Sequence, residues 1–108
     1  MSRPQASNDV FYAIADPTRR AILQRLAGGE LAVSTLAGEF PTTLSAVSQH
    51  IRVLKEAGLV TMRKSGRERY YQLNPRPLKA VSDWVEIYQP FWAGKLDALG
   101  AYLEETDE

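Results

Sequence analysis

Four polar side chains stand within eight positions of one short run, TTLSAVSQHIRVL from Thr42 to Leu54: Ser45, Ser48, Gln49 and Arg52. Hydroxyl, carboxamide and guanidinium groups at helical spacing can hydrogen-bond base edges or hold phosphates. Downstream, Arg63, Lys64, Arg67 and Arg69 crowd around Ser65-Gly66, a cluster suited to neutralising phosphate. Other chemistry has no footing. The chain has no Cys and one His, so no thiol nucleophile, disulfide or thiolate metal site can form. Ser45 and His50 are five apart on one helix, point to different faces and make no catalytic pair. There is no phosphate-cradling glycine loop and no nucleophile elbow. The chain is not expected to be an enzyme or to hold a cofactor.

These groups need a helix and a ribbon to present them. Val47, Ile51 and Leu54 fall at i, i+4 and i+7, the apolar stripe of a helix from Leu44 to Ala57. Ser45, Gln49, Arg52 and Glu56 then lie opposite, with Ala46 and Val53 on one edge and Ser48 and Lys55 on the other. Thr43 is the expected N-cap and Gly58 the stop. Val60 to Lys64 and Arg67 to Leu73 read as strands joined at Ser65-Gly66. By alternation Arg67 and Arg69 share one face and Glu68 takes the other. Alone, the helix would be an ordinary solvated face. The turn before it and the cationic hairpin after it favour a helix entering the major groove of double-stranded DNA. The expected DNA contacts are Thr43, Ser45, Ala46, Ser48, Gln49, Arg52, Lys55, Arg63, Lys64, Arg67 and Arg69. His50, near the core-facing edge, is read as a packed residue with local hydrogen bonds.

The rest of the chain supplies the frame. Residues 1–7 lack periodic apolar signal and read as a flexible arm. Asn8 is expected to cap a short helix carrying Val10, Phe11 and Ile14. Asp16-Pro17 starts a second helix that runs to about Ala27 and ends at Gly28-Gly29. A third spans Val33 to Phe40. After Asn74-Pro75-Arg76-Pro77, one long helix is expected from Leu78 to about Glu104, with Pro90 kinking its middle. Its stripe holds Val81, Val85, Tyr88, Trp92, Leu96, Leu99 and Leu103, widened by Trp84, Ile87 and Phe91. The expected fold is mainly α with a β-hairpin wing, a winged helix-turn-helix ordered as four helices, two strands and a last helix. Residues 8–108 form its one domain.

Net charge is zero, which at first argues against a nucleic-acid partner. The distribution answers this: residues 1–79 hold 12 Lys+Arg against 6 Asp+Glu, a net +6, and residues 80–108 hold 1 against 7, a net −6. No run of apolar residues is long enough to span a bilayer, and the N-terminus lacks the apolar stretch of a secretion signal. A cytoplasmic location without a membrane partner is the expectation.

Asp16-Pro17-Thr18-Arg19-Arg20-Ala21-Ile22-Leu23, the run from Leu44 to Val60 and the run from Arg63 to Tyr71 closely resemble the ArsR/SmtB family of bacterial winged-helix repressors. The resemblance covers about residues 8 to 103. It implies a homodimer joined through the first and last helices, a palindromic operator and repression of transcription. On that footing Val10, Phe11, Ile14, Trp84, Tyr88, Phe91, Trp92, Leu96, Leu99 and Leu103 are the expected dimer interface. Many members sense metal through a Cys-x-Cys motif near the third helix. Here Ala32 and Ser34 stand at those positions, and the last helix has Asp83, Glu86 and Asp97 but no His. No metal site is expected, and the last-helix text is similar to the metal-independent SdpR-like branch, whose members are autorepressors. Two alternatives stand beside the repressor. One is a sensor of a small organic effector bound by Trp84, Tyr88, Phe91 and Trp92. The other is a winged-helix protein-interaction module, which would have little use for a cationic hairpin.

Overall fold

The computed structural model describes residues 9–106, with side chains described at all of these except 96, 97, 101 and 104–106. The arm at residues 1–7, the Asn8 cap and the Leu96 side chain lie outside that set. The chain forms two compact units, one ending at Leu78 and the other beginning at Lys79.

In the first unit, each helix starts where a side-chain oxygen can take a free backbone N–H. Asp9 caps α1 (Val10–Ile14) by accepting from the Phe11 N–H at 3.0 Å. Asp16 caps α2 (Pro17–Leu26) by accepting from the Arg19 N–H at 3.0 Å, with Pro17 in the first turn. Next come a short strand, β1 (Leu31–Ala32), and α3 (Val33–Gly38). Thr43 caps α4 (Leu44–Glu56) through its hydroxyl, which accepts from the Ala46 N–H at 3.0 Å. The α4 C-terminus closes with Gly58 at φ +78°. The Gly58 N–H bonds the Lys55 carbonyl and the Leu59 N–H the Leu54 carbonyl, the paired bonds of a Schellman end.

Strands β2 (Val60–Ser65) and β3 (Glu68–Leu73) form an antiparallel hairpin with β1 added on the far side of β3, in the order β1-β3-β2. Gly66-Arg67 is the two-residue turn, and only Gly66 takes a positive φ, +63°. The Asn74 N–H bonds the Leu59 carbonyl at 2.7 Å and its side chain donates to the Gly58 carbonyl at 2.8 Å, joining the two ends of the hairpin. Ile22, Leu36, Val47, Ile51, Leu54 and Leu59 are the fully buried centre of this unit. Three of them are the α4 stripe expected from spacing.

Some expectations change. The long last helix is two helices, α5 (Leu78–Glu86) and α6 (Gln89–Thr106). The break falls at Ile87-Tyr88, where N–H groups reach back three residues, to Trp84 and Val85. Pro90 is the second residue of α6 rather than a mid-helix kink. A first-turn position needs no N–H, so proline costs nothing there and fixes where the new helix begins. The cap of α1 is Asp9. Helix α3 stops at Gly38, short of Phe40. Strand β3 starts at Glu68, so Arg67 is a turn residue and shares no strand face with Arg69.

Candidate nucleic-acid interface

Burying Val47, Ile51 and Leu54 turns Ser45, Ser48, Gln49, Arg52 and Lys55 of α4 outward, all of them exposed. The hairpin stands beside this face. Between them lies a groove of about 390 Å³ lined by those five side chains together with Met62, Arg69 and Tyr71 of the hairpin. The register settles which hairpin cations face it. Met62 pairs with Tyr71 and Lys64 with Arg69, so Lys64 shares the groove-side face. Thr61–Gln72, Arg63–Tyr70 and Ser65–Glu68 make the opposite face.

The expected contacts therefore divide. Ser45, Ser48, Gln49, Arg52, Lys55 and Arg69 come together on one groove, with Lys64 on its rim and Arg67 at the hairpin tip. Arg52 has a neighbour in Glu56 at 3.6 Å. Among the described residues, Lys64, Arg67 and Arg69 make no ion pair. Thr43 commits its hydroxyl to the α4 cap, and Ala46 is half-buried. Arg63 is engaged elsewhere: Nε and one terminal nitrogen donate to Glu30 at 2.9 and 2.7 Å, and its guanidinium lies 4.6 Å over the Tyr70 ring. The hydrogen bond from Arg63 holds the Glu30 carboxyl below the usual carboxylate range.

Sequence reading missed Arg19. It is 9% exposed, a buried guanidinium in a small domain. Nε donates to the Ala13 carbonyl at 2.7 Å and a terminal nitrogen to the Tyr12 carbonyl at 3.1 Å, satisfying the C-terminal carbonyls of α1. The other terminal nitrogen meets His50 Nδ1 at 3.4 Å, and Tyr12 lies under the guanidinium at 5.2 Å. His50 is thus packed as expected, but its partner is 31 residues away rather than local. Asp16 Oδ2 is 3.9 Å from the same ring nitrogen. The hydrogen bond from the Arg19 backbone N–H holds the Asp16 carboxyl below the usual range, against partial burial that pushes it up. Arg19 joins α1, α2 and α4 at one point.

Of the expected interface residues, Val10 is buried within its own unit, Ile14 is half-buried and Phe11 is 38% exposed. In the second unit, Trp84, Tyr88, Phe91, Trp92, Leu99 and Leu103 are exposed, Phe91 the most at 73%. The four aromatics do not gather into one pocket. Trp84 and Tyr88 meet edge to face with ring centroids 5.4 Å apart, and the hollow of about 370 Å³ on this unit includes Trp92 but none of the other three. Among the described residues no three His, Cys, Asp or Glu side chains are grouped to hold a metal. No helix among them is long and apolar enough to cross a membrane.

This geometry has close counterparts. A family model for a helix-turn-helix domain matches residues 14–63. The HTH-type transcriptional regulator Rv2034 of Mycobacterium tuberculosis is 49% identical over all of this chain and 98% of its own length. The crystal structure of the ArsR family transcriptional regulator RHA00566 covers 85% of this chain and 95% of its own, with TM-score 0.71 and 38% identity. The chain belongs to the ArsR family of helix-turn-helix transcriptional regulators. As an ArsR family member it is a DNA-binding regulator and not an enzyme, and the hairpin is the wing of its winged helix-turn-helix. Among its relatives, the transcriptional repressor SdpR of Bacillus subtilis is 37% identical over 72% of this chain and 87% of SdpR.

Proposed function

We propose that this ArsR family regulator is a homodimeric repressor that reads a palindromic operator, acts on its own promoter and does not sense metal. The observation that carries the reading is the Lys64–Arg69 pair. These two cations are opposed directly across the hairpin on the groove side, and Arg69 lines the groove with Arg52 and Lys55 of α4. Like charges opposed across strands repel, so the arrangement is unfavourable until an anion lies between them. A phosphate backbone crossing the groove is such an anion, and it sets α4 against the base edges with Ser45, Ser48 and Gln49 foremost.

Dimerisation is supported by the second unit, where Ile87, Phe91 and Leu99 are each more than half exposed. An apolar surface of that extent is costly to leave in water and suits a two-fold contact. Trp92→Glu is accordingly expected to give a monomer by light scattering that no longer binds the operator, and a dimeric variant would sink this placement of the interface. The similarity to the transcriptional repressor SdpR supports a repressor, and the lack of cysteine supports one without a thiolate metal site. Ala32 and Ser34 at the family's thiolate positions support it further.

The first test is fluorescence anisotropy with the DNA upstream of the gene against a scrambled duplex at two salt concentrations. Preference for the native fragment that survives higher salt supports specific autoregulation, and equal, salt-sensitive binding to both removes it. Gln49→Ala is expected to weaken the specific complex by about 1–3 kcal/mol and relax base preference at one position in each half-site. Unchanged specificity in that variant would take base reading away from Gln49. Half-sites are expected roughly 10 bp apart, centre to centre.

A further inference from the structure

The wing carries four cations: Lys64 and Arg69 on the groove side, Arg67 at the tip and Arg63 on the opposite face. We propose that Arg63 is a positioning residue: through its paired bonds to Glu30 and its stacking on Tyr70 it braces the back of the wing against the segment that leads into β1, and it makes no contact with DNA. The proposal rests on the groove between α4 and the wing being the DNA-facing side.

Register places Arg63 on the hairpin face turned away from that groove, together with Tyr70 and Glu68. On this rear face every charged group of β2 and β3 has a partner from the chain before or within α3. Arg63 takes both oxygens of Glu30, at 2.9 and 2.7 Å, and Glu68 accepts from the Ser34 hydroxyl at 3.1 Å. The groove-side face is the reverse, with Lys64 and Arg69 opposed and without acidic partners among the described residues. One hairpin thus has a satisfied face and an unsatisfied one. The forked geometry matters, because a planar guanidinium can hold two carboxylate oxygens and cover a ring at once, and an ammonium cannot. Glu30 and Ser34 flank β1, whose pairing of Ala32 with Tyr70 puts the brace alongside the third strand. The brace therefore adds side-chain contacts where the two-residue strand β1 supplies few backbone bonds.

The test compares Arg63→Ala, Arg63→Lys, Glu30→Gln and Arg67→Ala in the full chain. Two readouts are taken: the salt dependence of operator affinity, and amide hydrogen exchange of residues 60–73 without DNA. Arg67→Ala is the reference for a phosphate contact and is expected to reduce the slope of log K against log salt by about one. Arg63→Ala, Arg63→Lys and Glu30→Gln are expected to keep the wild-type slope, to weaken binding by about twofold to fivefold, as exposed paired charges do, and to speed hairpin exchange by a similar factor. The Glu30→Gln/Arg63→Ala double variant is expected to match either single one. A unit loss of slope in Arg63→Ala, wild-type affinity in Arg63→Lys, or tighter binding in Glu30→Gln overturns the proposal, since each marks Arg63 as a phosphate ligand. Wild-type exchange in both Arg63→Ala and Glu30→Gln overturns it as well. Faster exchange in a protein with no salt-dependent operator binding would uphold the brace and sink the DNA reading of the groove, so the two fail separately.

Discussion

Replacing Arg19 with alanine is expected to lower the free energy of unfolding by about 2–4 kcal/mol, a large part of the stability of a domain this small. The cause is the number of partners lost at one buried point. The Ala13 carbonyl loses its side-chain donor, the Tyr12 carbonyl keeps only the Ala15 N–H, and His50 on α4 loses the guanidinium beside it. Arg20→Ala is the control. Arg20 also donates to carbonyls at the end of α1, those of Ile14 and Ala15, but from an exposed position where water can replace it. Its removal is expected to cost less than about 1 kcal/mol. Arg19→Lys is not expected to rescue, because one ammonium cannot reach partners on both α1 and α4 at once. Urea denaturation followed by circular dichroism reads all three through the midpoint at constant slope. Equal midpoints for the Arg19 and Arg20 variants would remove Arg19 from its central place in the packing.

The second large effect has opposite signs in the free and bound protein. Changing Lys64 and Arg69 together to threonine is expected to leave the wing as stable as before, or more stable by a few tenths of a kcal/mol. Repulsion across the strands disappears, and a Thr–Thr pair suits a sheet. The same change is expected to reduce the salt slope by about two and to weaken operator binding roughly a hundredfold at moderate ionic strength. Gain or parity in stability with loss of binding is what a site held under electrostatic tension for an anion requires. A double variant that binds as the wild type does would show that the phosphates run elsewhere.

Much of this was legible in the residues, and the parts that were not have identifiable causes. The α4 stripe was readable because Val47, Ile51 and Leu54 repeat at the helical period and all three are buried, while the Thr43 cap and the Gly58 stop mark both ends. Strand β1 was invisible because two residues have no period, and it exists through pairing with Tyr70 and Tyr71 about 40 positions on. The break in the last helix was hidden by an apolar run that continues through it. Pro90 was noticed, but its position relative to the helix start depends on where the backbone turns, which spacing does not reveal. Arg19 left a signal that was passed over. It lies three and four residues before Ile22 and Leu23, on the apolar stripe of α2, and an arginine on a stripe asks what it could be bonding. Arg63 could not be separated from its cationic neighbours by composition. Its role follows from a partner, Glu30, 33 positions earlier, which spacing along the hairpin does not reveal, and placing the turn at Ser65-Gly66 set Lys64 opposite Arg67 rather than its observed partner Arg69.

The Asn74 clasp has a consequence for how such a protein can change over time. By holding the Gly58 and Leu59 carbonyls, it closes residues 58–74 into a loop fastened at its neck. Lengthening a loop whose ends are already fixed costs little, since closure entropy grows only slowly with length. Insertions beside Gly66-Arg67 can therefore alter how far along a duplex the hairpin reaches while α4 and its packing stay as they are. Reach and reading can diverge independently, and duplicated copies of such a gene can change how they grip the backbone at the tip before any residue of α4 has to change.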